Sequence, residues 1–171
     1  MFKQCVILHV DDDENDSTVF QRVLMSKGYN GTYRRVRRVE SAKAYLSGTD
    51  CYSDAALFPR PDIIVTELSV HGADGIELIR WIRQRSDYRT TSVIAFSVST
   101  NPEMQRQSVE AGATCFIEKR PDYADLVMKV REIVEHRPAG NLSPLPCLVL
   151  AFSNFAMSTW KISDELVEIA F

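Results

Sequence analysis

Short apolar runs alternate with amphipathic stretches five times over between residues 5 and 134. Residues 5–10 suit a buried strand. Val19, Phe20, Val23 and Leu24 then recur at helical spacing, up to a stop at Gly28. Residues 33–39 read as a second strand loaded with Arg34, Arg35, Arg37 and Arg38, and Ala42, Tyr45 and Leu46 mark a short helix. Residues 62–67 are almost continuously apolar, as strands buried on both faces are. A helix over 74–83 follows, with Asp74 and Glu77 spaced as a capping box and Ile76, Ile79 and Ile82 as its stripe. Residues 93–97 form a fourth strand. Pro102 opens a fourth helix with a weak stripe (Met104, Val109, Ala111), closing near Gly112. Residues 115–117 make a fifth strand, and Tyr123, Leu126, Val127, Val130, Ile133 and Val134 a fifth helix. Five β-then-α units predict an α/β fold, a doubly wound five-stranded parallel sheet with helices on both faces.

The 171 residues suit one ordinary domain plus an appendage. Hydrophobic residues at 45% and charged residues at 25% exclude wholesale disorder. Twenty Lys and Arg against 23 Asp and Glu, a net charge of −3, argue against a protein that wraps nucleic acid. No apolar run approaches the ~18 residues that span a bilayer, and the N-terminus is not a secretory signal. Cys5, Cys51, Cys115 and Cys147 lie far apart with no C-x-x-C, so a reduced, cytoplasmic setting is expected. The texture changes at Arg137. The sequence divides into a domain over 1–136, a Pro- and Gly-bearing linker over 137–146 and an apolar extension over 147–171. The extension carries an apolar run over 147–152 and then Phe155, Met157, Trp160, Ile162 and Leu166, and is expected to pack rather than float.

In a parallel α/β sheet, chemistry gathers at the carboxyl ends of the strands. The first strand ends in Asp11, Asp12 and Asp13, the third in Glu67 and the fourth in Ser97, while Lys119 follows the fifth. Converging carboxylates repel unless a cation lies between them, and Mg2+ is the natural hard ion for oxygen ligands. A nearby lysine supplies a second counter-charge. Singly these are ordinary features: an acidic helix cap, a loop hydroxyl, a surface lysine. Their order and placement together are what point to a site.

The same residues resemble the receiver domain of two-component response regulators. Asp11-Asp12 is similar to the acidic pair ending that family's first strand, and residues 61–75 look like its phosphoacceptor segment. Ser97 falls at the family's Thr/Ser position, Ala111-Gly112-Ala113 matches the turn before its fifth strand, Phe116 takes the aromatic switch position and Lys119 the family lysine. The resemblance covers roughly residues 4–136. It implies a CheY-like, flavodoxin-like sheet of order 2-1-3-4-5, a role in phosphorelay signalling rather than as an enzyme, and weak Mg2+ binding at Asp11, Asp12 and Glu67. Its implied partners are a histidine kinase or another signalling protein.

Three positions depart from the family pattern. Glu67 stands at the phosphoacceptor aspartate, His71 at the usual proline, and Arg120 separates Lys119 from Pro121. In-line attack requires a carboxylate held in a fixed place. Glutamate is one methylene longer, so its oxygens overshoot by ~1–1.5 Å. Three outcomes stay open: a phosphate-mimicking state, loss of activity with the fold retained, or residual phosphorylation of Glu67. No DNA-binding domain fits in the 34 residues after Arg137, so output through protein contacts is expected. A homodimer through the fourth helix, fifth strand and fifth helix, or through the extension, is one form of this. The arginines of the second strand are read as edge charge that discourages strand-on-strand pairing. The alternative function is a small Mg2+-dependent phosphohydrolase of the haloacid dehalogenase type, suggested by Asp11-x-Asp13 but disfavoured by Asn15 and the lack of room for a cap domain.

Overall fold

The computed structural model describes residues 5–135. Five parallel strands form its sheet: β1 (Val6–Val10), β2 (Thr32–Val36), β3 (Ile63–Thr66), β6 (Ser92–Ser97) and β7 (Cys115–Glu118). Two short strands, β4 (Ser69–Val70) and β5 (Ala73–Asp74), pair antiparallel as a separate hairpin after β3. The sheet order β2-β1-β3-β6-β7 is the expected 2-1-3-4-5 once that hairpin is set aside. The helices are α1 (Glu14–Ser26), α2 (Val39–Ser47), α3 (Gly75–Gln84), α4 (Pro102–Glu110) and α5 (Ala124–Glu135).

Alternation within the strands divides the core in two. Leu8, Val10, Ile64, Val93 and Ala95 face α2 and α3. Ile7, Ile63, Val65, Ile94 and Phe96 face α1 and α5, where Phe20, Leu24, Leu126 and Val130 close over them. Strands sealed on both faces explain the unbroken apolar runs.

The local signals account for the helix ends. The Asp74 carboxylate accepts hydrogen bonds from the backbone N–H groups of Ile76 and Glu77, as a helix cap does. Glu77 does not reach back to complete the box; it pairs with Arg80 instead. Pro102 opens α4 behind an Asn101 cap. Gly28 and Gly112 follow α1 and α4 with φ of 88° and 107°.

The second strand is shorter than expected. It stops at Val36, whose carbonyl accepts from Asp11 N–H, and Val39 already belongs to α2, buried against the core. Continuing a β-branched run through the turn missed that boundary. No described helix is long and apolar enough to cross a membrane. The linker over 137–146 and the extension over 147–171 lie outside the described residues.

Candidate functional site

The carboxyl ends of β1, β3, β6 and β7 bring the expected residues to one edge of the sheet. Parallel pairing fixes the arrangement: Val10 lies beside Thr66 and Thr66 beside Ala95, so Asp11 and Glu67 leave their strands side by side. Asp11 is fully buried and Glu67 almost so. Lys119 reaches in from the far strand and is itself largely covered.

The lysine is the centre of the cluster. Its Nζ stands 2.8 Å from Asp11 Oδ2, 2.8 Å from Asp16 Oδ2 and 3.4 Å from Glu67 Oε2. Burial alone would lower its pKa, but the hydrogen bonds to Asp11 and Asp16 and the nearby Glu67 raise it above the ordinary lysine value. Burial likewise works to raise Asp11. His9 and Lys119 overcome it and hold that carboxyl down at about 2. Asp11 Oδ1 also accepts from Asp13 N–H at 2.8 Å.

Glu67 is folded back on its own chain. Its Oε1 accepts from Leu68 N–H at 2.7 Å while Oε2 turns to Lys119. The extra methylene is thus taken up by a curl. Asp12 faces the other way. Its Oδ2 accepts from His71 N–H at 3.0 Å and stands 3.5 Å from His71 Nδ1. The residue in the family's proline position therefore supplies a backbone N–H that proline lacks.

Ser97 is buried at the end of β6, and its Oγ accepts from Ser99 N–H at 3.3 Å. It joins the cluster through its carbonyl, which accepts from Lys119 N–H at 2.7 Å. Phe116 is half-buried and packs on the α2–α3 side, where Met104 of α4 also packs.

Sequence reasoning missed four participants. Asp16 binds Lys119 from the first turn of α1. His9 lies fully buried, with Nδ1 2.7 Å from the Tyr33 hydroxyl and Nε2 3.4 Å from Asp11. Burial pushes its pKa down, which keeps the imidazole neutral near pH 7. Tyr123 lies near Asp16, whose charge adds to burial in raising the tyrosine hydroxyl pKa. Arg35 donates from Nε to Asp11 O at 3.0 Å and from Nη2 to Asp12 O at 2.9 Å, tying the edge strand to the acidic loop. Of the other β2-region arginines, Arg34 donates to Leu57 O and Arg37 pairs with Glu14, so the charge there also makes specific contacts. A histidine inside an apolar strand was the one visible signal among these.

Asp11, Asp12 and Glu67 are hard oxygen donors of the kind Mg2+ takes, so their chemistry fits such an ion. Their present arrangement does not enclose one. Among the described residues no three His, Cys, Asp or Glu side chains are grouped to hold a metal, because Asp12 is drawn to His71 and the ammonium of Lys119 lies against Asp11.

Comparison with known proteins agrees with this geometry. The family model described as the response regulator receiver domain matches residues 7–131. The chain is 29% identical over 128 residues to the response regulator Rcp1 of Synechocystis sp., covering 75% of this chain and 85% of Rcp1. It is 30% identical over 128 residues to the two-component response regulator ORR6 of Oryza sativa subsp. japonica, covering 73% and 70%. The crystal structure of the Mn(2+)-bound form of Rcp1 superposes with a TM-score of 0.67 at 28% identity, covering 78% of this chain and 97% of that one.

Proposed function

The chain belongs to the response regulator receiver family of two-component signalling, and we propose that within it this protein is an atypical receiver that signals through protein contacts without carrying a phosphoryl group on Glu67. The observation that supports this is the curl of Glu67. Its two carboxylate oxygens are engaged by Leu68 N–H and the Lys119 ammonium. An attacking oxygen has to be free and in line with the phosphorus.

In this reading Asp11, Asp12 and Glu67 are the cation ligands, Lys119 is their standing counter-charge, and Ser97 and Phe116 keep the family's switch positions. The response regulator Rcp1, which this chain resembles, has been solved in a Mn(2+)-bound form. Here Mg2+ would hold Asp11, Asp12 and Glu67 and supply positive charge among them. Asp12 must first release His71 N–H, and Lys119 must give up Asp11, so binding is weak. The partner is a histidine kinase or another signalling protein. The contact face is α4, β7 and α5, where Met128 on α5 and Val98 before α4 are exposed. A homodimer through that face, or through the extension over 147–171, uses the same kind of contact. Nothing in the matches supports the phosphohydrolase alternative.

Incubation with a small phosphodonor and Mg2+, followed by intact mass, tests the reading. Wild type should gain no phosphoryl mass, and Glu67→Asp should gain one. A wild-type increment that vanishes in Glu67→Gln overturns it.

A further inference from the structure

We propose that Asp16 is a positioning residue: it is the seat on which Lys119 stays when a divalent cation takes Asp11. The inference rests on the reading of Asp11, Asp12 and Glu67 as the cation ligands. Lys119 has three ammonium hydrogens and three carboxylates around it, at 2.8, 2.8 and 3.4 Å. Two of the three, Asp11 and Glu67, are the oxygens a divalent ion needs. Asp16 is the third and lies outside that set.

Asp16 is built into its place independently of the pocket. It sits in the first turn of α1, where its N–H donates to the Asp13 cap at 3.2 Å. Tyr123, just before α5, lies close enough that the Asp16 charge adds to burial in raising the tyrosine hydroxyl pKa. Lys119 therefore touches an anion that no ion entering the pocket removes. A divalent ion and an ammonium repel when they share one carboxylate oxygen. A lysine on a flexible four-carbon stem relieves that by giving up Asp11 while keeping Asp16. Without Asp16 the displaced ammonium has no other carboxylate outside the ion's ligands among its present partners, and it competes for Asp11 in full.

The test is a Mg2+ titration of the full chain by calorimetry, together with the 1H–15N signal of the Lys119 ammonium in metal-free protein. Asp16→Asn should weaken Mg2+ binding at least about threefold, and Asp16→Glu should restore most of it. Lys119→Met should strengthen binding. In the Lys119→Met background Asp16→Asn should change affinity less than about twofold, because there is no ammonium left to seat. An equal loss in both backgrounds, or no loss in wild type, overturns the proposal. If neither wild type nor Lys119→Met takes up Mg2+, the cation-site reading is what fails. The metal-free signal then decides on Asp16 alone. A Lys119 ammonium resonance present in wild type, absent in Asp16→Asn and regained in Asp16→Glu supports the seat, and a resonance unchanged in Asp16→Asn overturns it.

Discussion

Helices α3 and α4 are successive α units beside the same sheet, and they are held in opposite ways. α3 buries Gly75, Ile76, Leu78, Ile79 and Ile82, and its first residue donates to Leu68 O directly behind Glu67. Of the α4 residues only Ser108 is buried, while Met104, Gln107 and Val109 are half-covered. Exposed ion pairs of Arg106 with Glu103 and Glu110 lie along its surface, and such pairs contribute little. An element with a full apolar stripe shares the stability of the whole domain, and one without opens alone. The backbone beside the site is thus fixed on the α3 side and free to shift on the α4 side.

Removing the apolar anchor of α3 has the largest effect. Ile79 is fully buried, so Ile79→Ala should cost ~2–5 kcal/mol, read as a lower urea midpoint with an unchanged slope. A loss below ~1 kcal/mol would mean α3 is no better anchored than α4.

Alkaline pH should also act on the whole fold. Burial pushes the Tyr29 and Tyr33 hydroxyls well above the ordinary tyrosine value. Burial also raises Tyr123, with Asp16 adding to it. A folded-state pKa above the unfolded value of ~10 means that the unfolded chain gives up its proton first. The associated stability is complete below pH ~10 and is lost as pH rises beyond it, by up to ~1.4 kcal/mol per pH unit for each such tyrosine. Urea midpoints between pH 8 and 11 measure this. Tyr29→Phe should flatten the decline by about one proton.

Gly75 ties α3 to the site strand, and its replacement sharpens the contrast. A Cβ there would lie 2.3 Å from Glu67 O and 2.8 Å from Leu68 Cα, both backbone atoms that cannot swing aside. Gly75→Ala should cost ~1–3 kcal/mol and shift the backbone resonances of Glu67 and Leu68. Unshifted resonances would show that α3 is not what holds that strand end.

How much of this could be read in advance follows the range of the forces involved. The sheet order and the helix stripes were legible because burial on two faces imprints periodicity locally. So were the cap at Asp74 and the helix start at Pro102, though not the Asn101 cap before it. Asp11, Glu67 and Lys119 were legible because parallel strands deliver their ends to one edge. The curl of Glu67 was anticipated only as one methylene too many. Asp16 was hidden because its partner comes from β7, and Arg35 because its bonds depend on how β2 registers beside β1, with Arg35 opposite His9. His71 was visible as a departure, but its hold on Asp12 required a φ of 49° that sequence does not announce.

The smallest global effect should come from α4 itself. Asn101 accepts from Glu103 N–H at 2.9 Å, and its neighbour Pro102 has no N–H to offer, so this cap satisfies one of the few donors at that end. Losing such a cap weakens a helix by ~0.5–2 kcal/mol. The domain as a whole cannot lose more than α4 contributes to it, and a helix burying one serine contributes little. Asn101→Ala should therefore leave the urea midpoint nearly unchanged, by less than ~0.5 kcal/mol, while amide exchange over residues 105–110 speeds up several-fold. Ser108 and Val109 are the best places to look, since their amides lie in the half-covered turn. Equal slowing or quickening across α3 and α4 would mean that the two helices open together, and the contrast between an anchored and a movable side of the site would fall.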